Sequence, residues 1–212
     1  MPMWIAEIWR YPVKSLRGER LDRATLGPGG IGGDRQVLVR LPNGTVATAR
    51  RYPRLLALSG STGPGGEALV DGRMWNSPEI GERVAAVTTT GAVLELADAS
   101  RFDILPLLVA TDGAIAAFGY DGRRLRPNLV IGGVEGLSER DWEGRVLAVG
   151  VVRIQLADLR GRCVMTTVDP DTLAQDPEVL RSIVRRFDGR LALNAEVASG
   201  GIIAVGDRVA LL

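Results

Sequence analysis

Four short stretches of this 212-residue sequence hold side chains able to grip an anion or a soft metal. The stretch Arg10-Tyr11-Pro12-Val13-Lys14-Ser15 ends a strand-like run in a proline-stiffened turn that sets an ammonium beside a hydroxyl. Each charge-assisted hydrogen bond from such a pair to a phosphate contributes about 1.5–3 kcal/mol, although the same pair serves equally as a solvated surface patch. Gly32-Gly33-Asp34-Arg35 puts two flexible residues before an ion-pairing dipeptide, which reads as a ligand contact or as a turn with a structural Asp-Arg pair. In Arg126-Pro127-Asn128 the proline fixes the backbone between a forked donor and an amide at the mouth of a strand, either for binding or as a strand-edge turn.

The fourth stretch carries most weight. From Gly161 to Thr172 a thiol, Cys163, directly follows Arg162 and precedes a turn rich in hydroxyls and carboxylates. A neighbouring guanidinium favours thiolate, the form that binds soft metals or attacks sulfur. The alternative is an inert, buried cysteine. Asp169, just past the thiol, is placed either to pass protons or to cap the turn.

Composition narrows the chemistry further. The absence of histidine removes His-based triads, the usual zinc sites and the commonest general base. One cysteine allows no intrachain disulfide and no iron–sulfur cluster, so redox chemistry requires an external cofactor held by few protein ligands. Of the 26 basic residues 25 are arginine, which marks the single lysine, Lys14, as a place where a compact ammonium is wanted. A net charge of +1 without a segregated basic cluster argues against nucleic acid and membrane surfaces and for a small-molecule substrate. The first residues show neither a signal peptide nor the roughly 18 apolar residues of a membrane span, so a cytoplasmic location is expected.

The elements that must position these residues are mainly short strands. Trp4 to Trp9 alternates apolar and polar residues, and Gln36 to Leu41 runs into Pro42-Asn43-Gly44 before Thr45 to Thr48 resumes, a hairpin signature. Glycine-rich breaks at Gly27 to Gly33 and Gly60 to Gly66 favour a β-barrel-like unit with little helix in the first hundred or so residues. In the second half Leu107 to Ala110, Leu129 to Ile131 and Val146 to Val149 read as strands. Thr111 can cap a short helix ending near Gly119, and Asp176 with Pro177 opens a helix that reaches Phe187 before Gly189. Ala195 to Val197, Ile202 to Val205 and a last run to Leu212 return to strand. The change of pattern places a boundary between residues 1–98, an N-terminal β-barrel-like domain, and residues 99–212.

Taken in order, these motifs resemble the MOSC superfamily, in the branch with an N-terminal β-barrel domain. That branch includes the mitochondrial amidoxime-reducing component, its bacterial relatives and the C-terminal part of molybdenum cofactor sulfurases. The marks are Tyr11 to Ser15, Gly33-Asp34-Arg35, Thr48-Ala49-Arg50 with Pro53-Arg54-Leu55, Arg126-Pro127-Asn128, Arg162-Cys163 with Thr166 to Thr172, and Gly206-Asp207. The resemblance implies a mainly β fold, a MOSC β-barrel plus the N-terminal barrel-like domain. It also implies a mononuclear molybdenum–pyranopterin cofactor ligated by Cys163, with Lys14, Ser15, Arg35, Arg126, Asn128 and Arg162 along the cofactor. The implied activity is reduction of N-hydroxylated or other N-oxygenated small molecules, fed by a separate electron-donor protein. Other readings are a sulfur carrier using a Cys163 persulfide and a non-catalytic cofactor-binding module. Pyridoxal phosphate, with Lys14 as the available lysine, is disfavoured because its large enzyme domain is absent. Leu173 stands where the family often has glycine, so the loop after Asp169 to Thr172 is expected to take another path.

Overall fold

The computed structural model describes residues 2–98 and 101–212. The expected domain boundary falls at residues 99 and 100, which lie outside the described residues. The first half contains β1 (Met3–Arg10), β2 (Glu19–Leu21), β3 (Arg23–Gly27), β4 (Gly30–Ile31), β5 (Val37–Arg40), β6 (Gly60–Thr62), β7 (Ala68–Val70), β8 (Arg73–Met74), α1 (Pro78–Val87) and β9 (Val93–Leu96). The second half adds β10 (Leu107–Thr111), α2 (Asp112–Phe118), β11 (Leu129–Gly132), β12 (Val146–Val149), β13 (Val152–Gly161), α3 (Pro177–Phe187), β14 (Arg190–Ser199), β15 (Gly201–Ala204) and β16 (Arg208–Leu211).

The largest sheet runs β11-β10-β14-β13-β12-β16-β1-β2, and a further pairing of β1 with β11 closes it into a seven-stranded barrel with β2 outside the ring. Closure comes from Ile5 opposite Ile131 and Ile8 opposite Leu129, with a bulge between Ile5 and Glu7. All four of these side chains are fully buried in the barrel core, which also takes Leu147 and Leu193. Fully burying an aliphatic side chain of this size contributes roughly 1.5–3 kcal/mol, so the closing seam also anchors the core. A second core gathers Val13, Leu16, Val39, Leu55, Ile80 and Val84 from the first half with Val168 from the second. It packs beside the loop that carries Cys163.

Two helices form where the caps foretell them. The Thr111 hydroxyl accepts from the Ala114 N–H and Gly119 ends α2 in the left-handed region, while the Asp176 carboxylate accepts from the Glu178 N–H ahead of Pro177. One element was not foreseen and one expectation needs correction. The first half holds a ten-residue helix, α1, opened by Ser77-Pro78 and burying Ile80 and Val84 one turn apart. Its apolar stripe is narrow, and the glycine-rich surroundings read as strand and turn. The hairpin after Gln36 is also shorter than its sequence suggests. Pro42-Asn43-Gly44 does turn the chain, but the returning arm is reduced to a bridge between Arg40 and Val46, and β5 pairs along its length with the distant β9. No helix among the described residues is long and apolar enough to cross a membrane.

Candidate functional site

The end of β1 delivers Tyr11 to the junction of the two cores. The Tyr11 N–H donates to Oδ1 of Asp34 at 2.7 Å, and its phenol donates to the Pro127 carbonyl at 3.0 Å. Burial pushes the Tyr11 phenol up to about 12, against the pull of the Arg126 and Arg35 charges, so it remains a neutral donor. The Arg126 guanidinium stacks 4.2 Å from the centre of the Tyr11 ring, and Arg35 lies 5.5 Å from the same ring and 5.7 Å from that of Phe102. Asp34, which is 1% exposed, also ion-pairs with Arg35. Gly18 is required by this packing, because a Cβ there would lie 2.5 Å from the Tyr11 ring and 2.4 Å from the Arg10 carbonyl oxygen.

Three of the residues singled out in the sequence hold left-handed backbones: Ser15 at φ 72°, Arg35 at φ 49° and Arg126 at φ 56°. For a residue with a Cβ this conformation costs roughly 1–2 kcal/mol, and such strain persists where the surrounding structure dictates a direction for the side chain.

From the opposite side β13 bulges twice near its end and delivers Arg160, Arg162 and Cys163. Arg160 donates to Oδ1 of the buried Asn194 at 3.0 Å, and Asn194 donates in turn to Asp158 at 3.0 Å. Arg162 donates through Nη2 to the Leu125 carbonyl at 2.7 Å. Its Nε is buried with no hydrogen-bond partner among the described residues, and burial pulls the guanidinium down to about 10. Burial likewise lowers Arg126 and Arg160. Cys163 is partly exposed and opens a tight turn in which Thr166 donates through both N–H and hydroxyl to the Cys163 carbonyl.

These two sides enclose a cleft of about 690 Å³, part of it open to solvent, lined by Arg35, Arg50, Arg124, Arg126, Arg160 and Arg162 together with Cys163 and Asp103. Lys14, 8% exposed, reaches the same place through Asp103, whose Oδ1 lies 2.9 Å from its Nζ. Ser15 follows it on the buried turn.

Asn128 and Asp169 have other duties. The Asn128 side chain lines the cleft floor and is fully buried, accepting from the Leu108 N–H at 3.1 Å and donating to the Trp9 carbonyl at 3.3 Å, so it also ties β1 to β10. Asp169 caps its own turn, with Oδ1 accepting from the N–H groups of Asp171 and Thr172, while Oδ2 pairs with Arg124 at 2.8 Å. Those backbone hydrogen bonds hold its carboxyl below the usual range. Leu173 has φ 62° and packs into the second core, so a leucine holds the left-handed conformation that glycine adopts freely.

Arg124, Arg160 and Asp103 were not singled out in the sequence. Each is an unremarkable charged residue along the chain, and only the fold brings them to the cleft. The nearest signal was the Arg-x-Arg-Cys spacing of Arg160, Arg162 and Cys163 on one strand end.

The donor set can be tested against a metal cofactor. Among the described residues no group of three or more His, Cys, Asp or Glu side chains converges to hold a metal ion. A metal at Cys163 therefore needs most of its ligands from a carrier, and the lining suits an anionic one: six guanidiniums against one carboxylate, with the Nε of one of the six, Arg162, without a partner among the described residues. A dithiolene pterin with a phosphate supplies sulfur ligands and negative charge, and these residues fit it.

A closed β-barrel with a thiol at the edge of an arginine-lined cleft is an arrangement able to hold an anionic group beside a soft ligand. The MOSC N-terminal beta barrel domain matches residues 3–93 and the MOSC domain matches residues 113–210, and the chain belongs to the MOSC family. It is similar to mitochondrial amidoxime-reducing component 1 of Homo sapiens, 25% identical over 280 aligned positions that cover 98% of this chain and 82% of that protein. It is also similar to mitochondrial amidoxime reducing component 2 of Macaca fascicularis, 25% identical over 227 positions covering 79% of this chain and 67% of that protein. Among solved structures, the YUAD protein from Bacillus subtilis shares the fold, with a TM-score of 0.54 at 13% identity over 100% of this chain and 96% of that one.

Proposed function

We propose that this chain binds a mononuclear molybdenum–pyranopterin in the arginine-lined cleft, with the Cys163 thiolate as the protein's metal ligand. In this reading it reduces N-hydroxylated or other N-oxygenated small molecules with electrons from a separate donor protein. The observation that carries the reading is the placement of Cys163 among Arg126, Arg160 and Arg162, with the Arg162 Nε buried and unpartnered among the described residues. The names of the relatives, amidoxime-reducing components, support the substrate class.

When bound, the cofactor supplies the two-electron chemistry of oxygen-atom abstraction, between Mo(IV) and Mo(VI). The protein's own residues bind and orient. Lys14, Ser15 and Arg35 take the phosphate end, Arg126 and Arg162 lie along the pterin, and Arg162 offsets the charge of the ligand thiolate. Asn128 keeps β1 and β10 in register so that Asp34 and Arg35 stay aimed. Asp169 acts through Arg124, which it holds at the cleft wall. In the same reading the chain divides near residues 98 and 99, with the cofactor gripped by residues from both parts.

The test is elemental analysis for molybdenum in wild type and Cys163→Ala purified from a host that makes the cofactor. Near-stoichiometric metal in wild type and its loss from the variant support the reading, and turnover of an amidoxime then follows. Well-folded wild type without metal overturns it and directs attention to a persulfide on Cys163, which is a partly exposed free thiol.

A further inference from the structure

We infer that Lys14, Arg35 and Arg160 form one anion subsite, and that Asp103 occupies it as an internal anion that an anionic ligand must displace. The inference rests on the proposed anionic ligand of the cleft and adds a residue that sets its affinity.

Asp103 bridges cations from two different parts of the fold. Its Oδ1 lies 2.9 Å from Lys14 Nζ, on the turn after β1, and its Oδ2 lies 3.5 Å from Arg160 Nη2, at the end of β13. Burial works against the Asp103 charge, yet the Lys14 hydrogen bond and the charges of Lys14, Arg160 and Arg35 hold its carboxyl below the usual range. Among the described residues it is the one carboxylate lining a cleft lined by six arginines.

The cations are anchored from behind and the carboxylate is not. Arg160 is fixed by the buried Asn194, Arg35 is paired with Asp34 and flanked by the rings of Tyr11 and Phe102, and Lys14 is 8% exposed. The Asp103 side chain is 42% exposed and lies in the connection between β9 and β10, outside any strand. Phe102 and Leu105, on either side of it, line the cleft as well.

Cations assembled in a low-dielectric cleft ahead of their ligand carry a desolvation penalty. A tethered carboxylate offsets that penalty until a phosphate, with more charge and three acceptor oxygens, replaces it.

The test is calorimetric titration of inorganic phosphate, at fixed ionic strength, into the full chain purified from a host that does not make the cofactor. Asp103→Asn is expected to bind phosphate about tenfold tighter than wild type, the effect of removing one competing charged hydrogen-bond acceptor. Equal or weaker binding by the variant overturns the inference, because Asp103 would then be orienting Lys14 for the ligand. Phosphate binding by neither protein overturns it too. If Asp103→Asn does not fold, Asp103→Ser makes the same comparison. The molybdenum analysis is independent: wild type that retains metal while Asp103→Asn fails to tighten removes this inference alone, and tightened phosphate binding in a chain that takes up no metal removes the cofactor reading alone.

Discussion

Oδ2 of Asp169 lies 2.8 Å from Nη2 of Arg124, across the turn that follows Cys163. Arg124 also donates through Nη1 to the Thr167 carbonyl at 2.9 Å, so one guanidinium fastens the thiol-bearing loop to the opposite wall of the cleft. The adjacent Arg123 repeats the connection by pairing with Asp171.

This geometry predicts what Asp169 does. Asp169→Asn is expected to fold and to retain molybdenum several-fold less well than wild type, because it loses the charged half of the pair that holds Arg124. The shape of the pH–rate profile should stay as in wild type over pH 5–8, since the carboxyl is held below its usual range and is ionised throughout. Loss of a limb of that profile in the variant would return Asp169 to a proton-delivery role.

A second prediction concerns the burial of Arg162. Its guanidinium is pulled down to about 10 by burial and its Nε has no partner among the described residues, so without a ligand the charge works against the fold. The sign is that of a depressed cation. At pH values below about 10 the folded state carries a proton that it holds less favourably than the unfolded chain does. Arg162→Met should therefore leave the melting temperature of cofactor-free protein unchanged or higher, despite losing the hydrogen bond to Leu125, while abolishing cofactor retention. A drop of several degrees in the cofactor-free variant would show that Arg162 is needed for the fold itself.

A third prediction lies away from the cleft. Glu139 is fully buried, with Oε2 accepting from the hydroxyl of Thr111 at the end of β10 at 3.2 Å and Oε1 unpartnered among the described residues. Burial raises its pKa above 4.5, so the folded state holds this proton more tightly than the unfolded chain. Its contribution to stability is fully present below about pH 4.5 and declines as pH rises through the higher folded value. Glu139→Gln removes that decline, and denaturant titrations at pH 8 should find the variant more stable than wild type by on the order of 1 kcal/mol. A less stable variant at that pH would show that the carboxylate is paired when ionised.

Legibility in the sequence followed the range of the interactions. The ends of α2 and α3 could be read because capping is local, with Thr111 three residues from Ala114 and Asp176 two from Glu178. The helix α1 escaped because its burial depends on two residues, Ile80 and Val84, whose partners come from elsewhere in the second core. Arg35, Arg126, Arg162 and Cys163 were singled out and share the cleft, whereas Arg124, Arg160 and Asp103 reach it only through tertiary convergence. Asn128 was singled out too and lines the same cleft, but its hydrogen bonds to the Leu108 N–H, the Trp9 carbonyl and Asp34 could not be read from the sequence, because all three partners are distant along the chain. The left-handed φ at Ser15, Arg35 and Arg126 had no sequence signal, since none is glycine or asparagine.

The barrel seam also sets a timetable. Strand β1 pairs with β11 and with β16, both made long after it. Such distant pairings carry a large loop-closure cost and form slowly. As the polypeptide leaves the ribosome, the N-terminal wall of the cleft, with Lys14 and Arg35, waits for Arg160, Arg162 and Cys163, and the ring closes only after residues 208–211 emerge. Loading of any cleft ligand is thus an event that follows the synthesis of β16, and a nascent chain stalled before that strand offers no receptor for it.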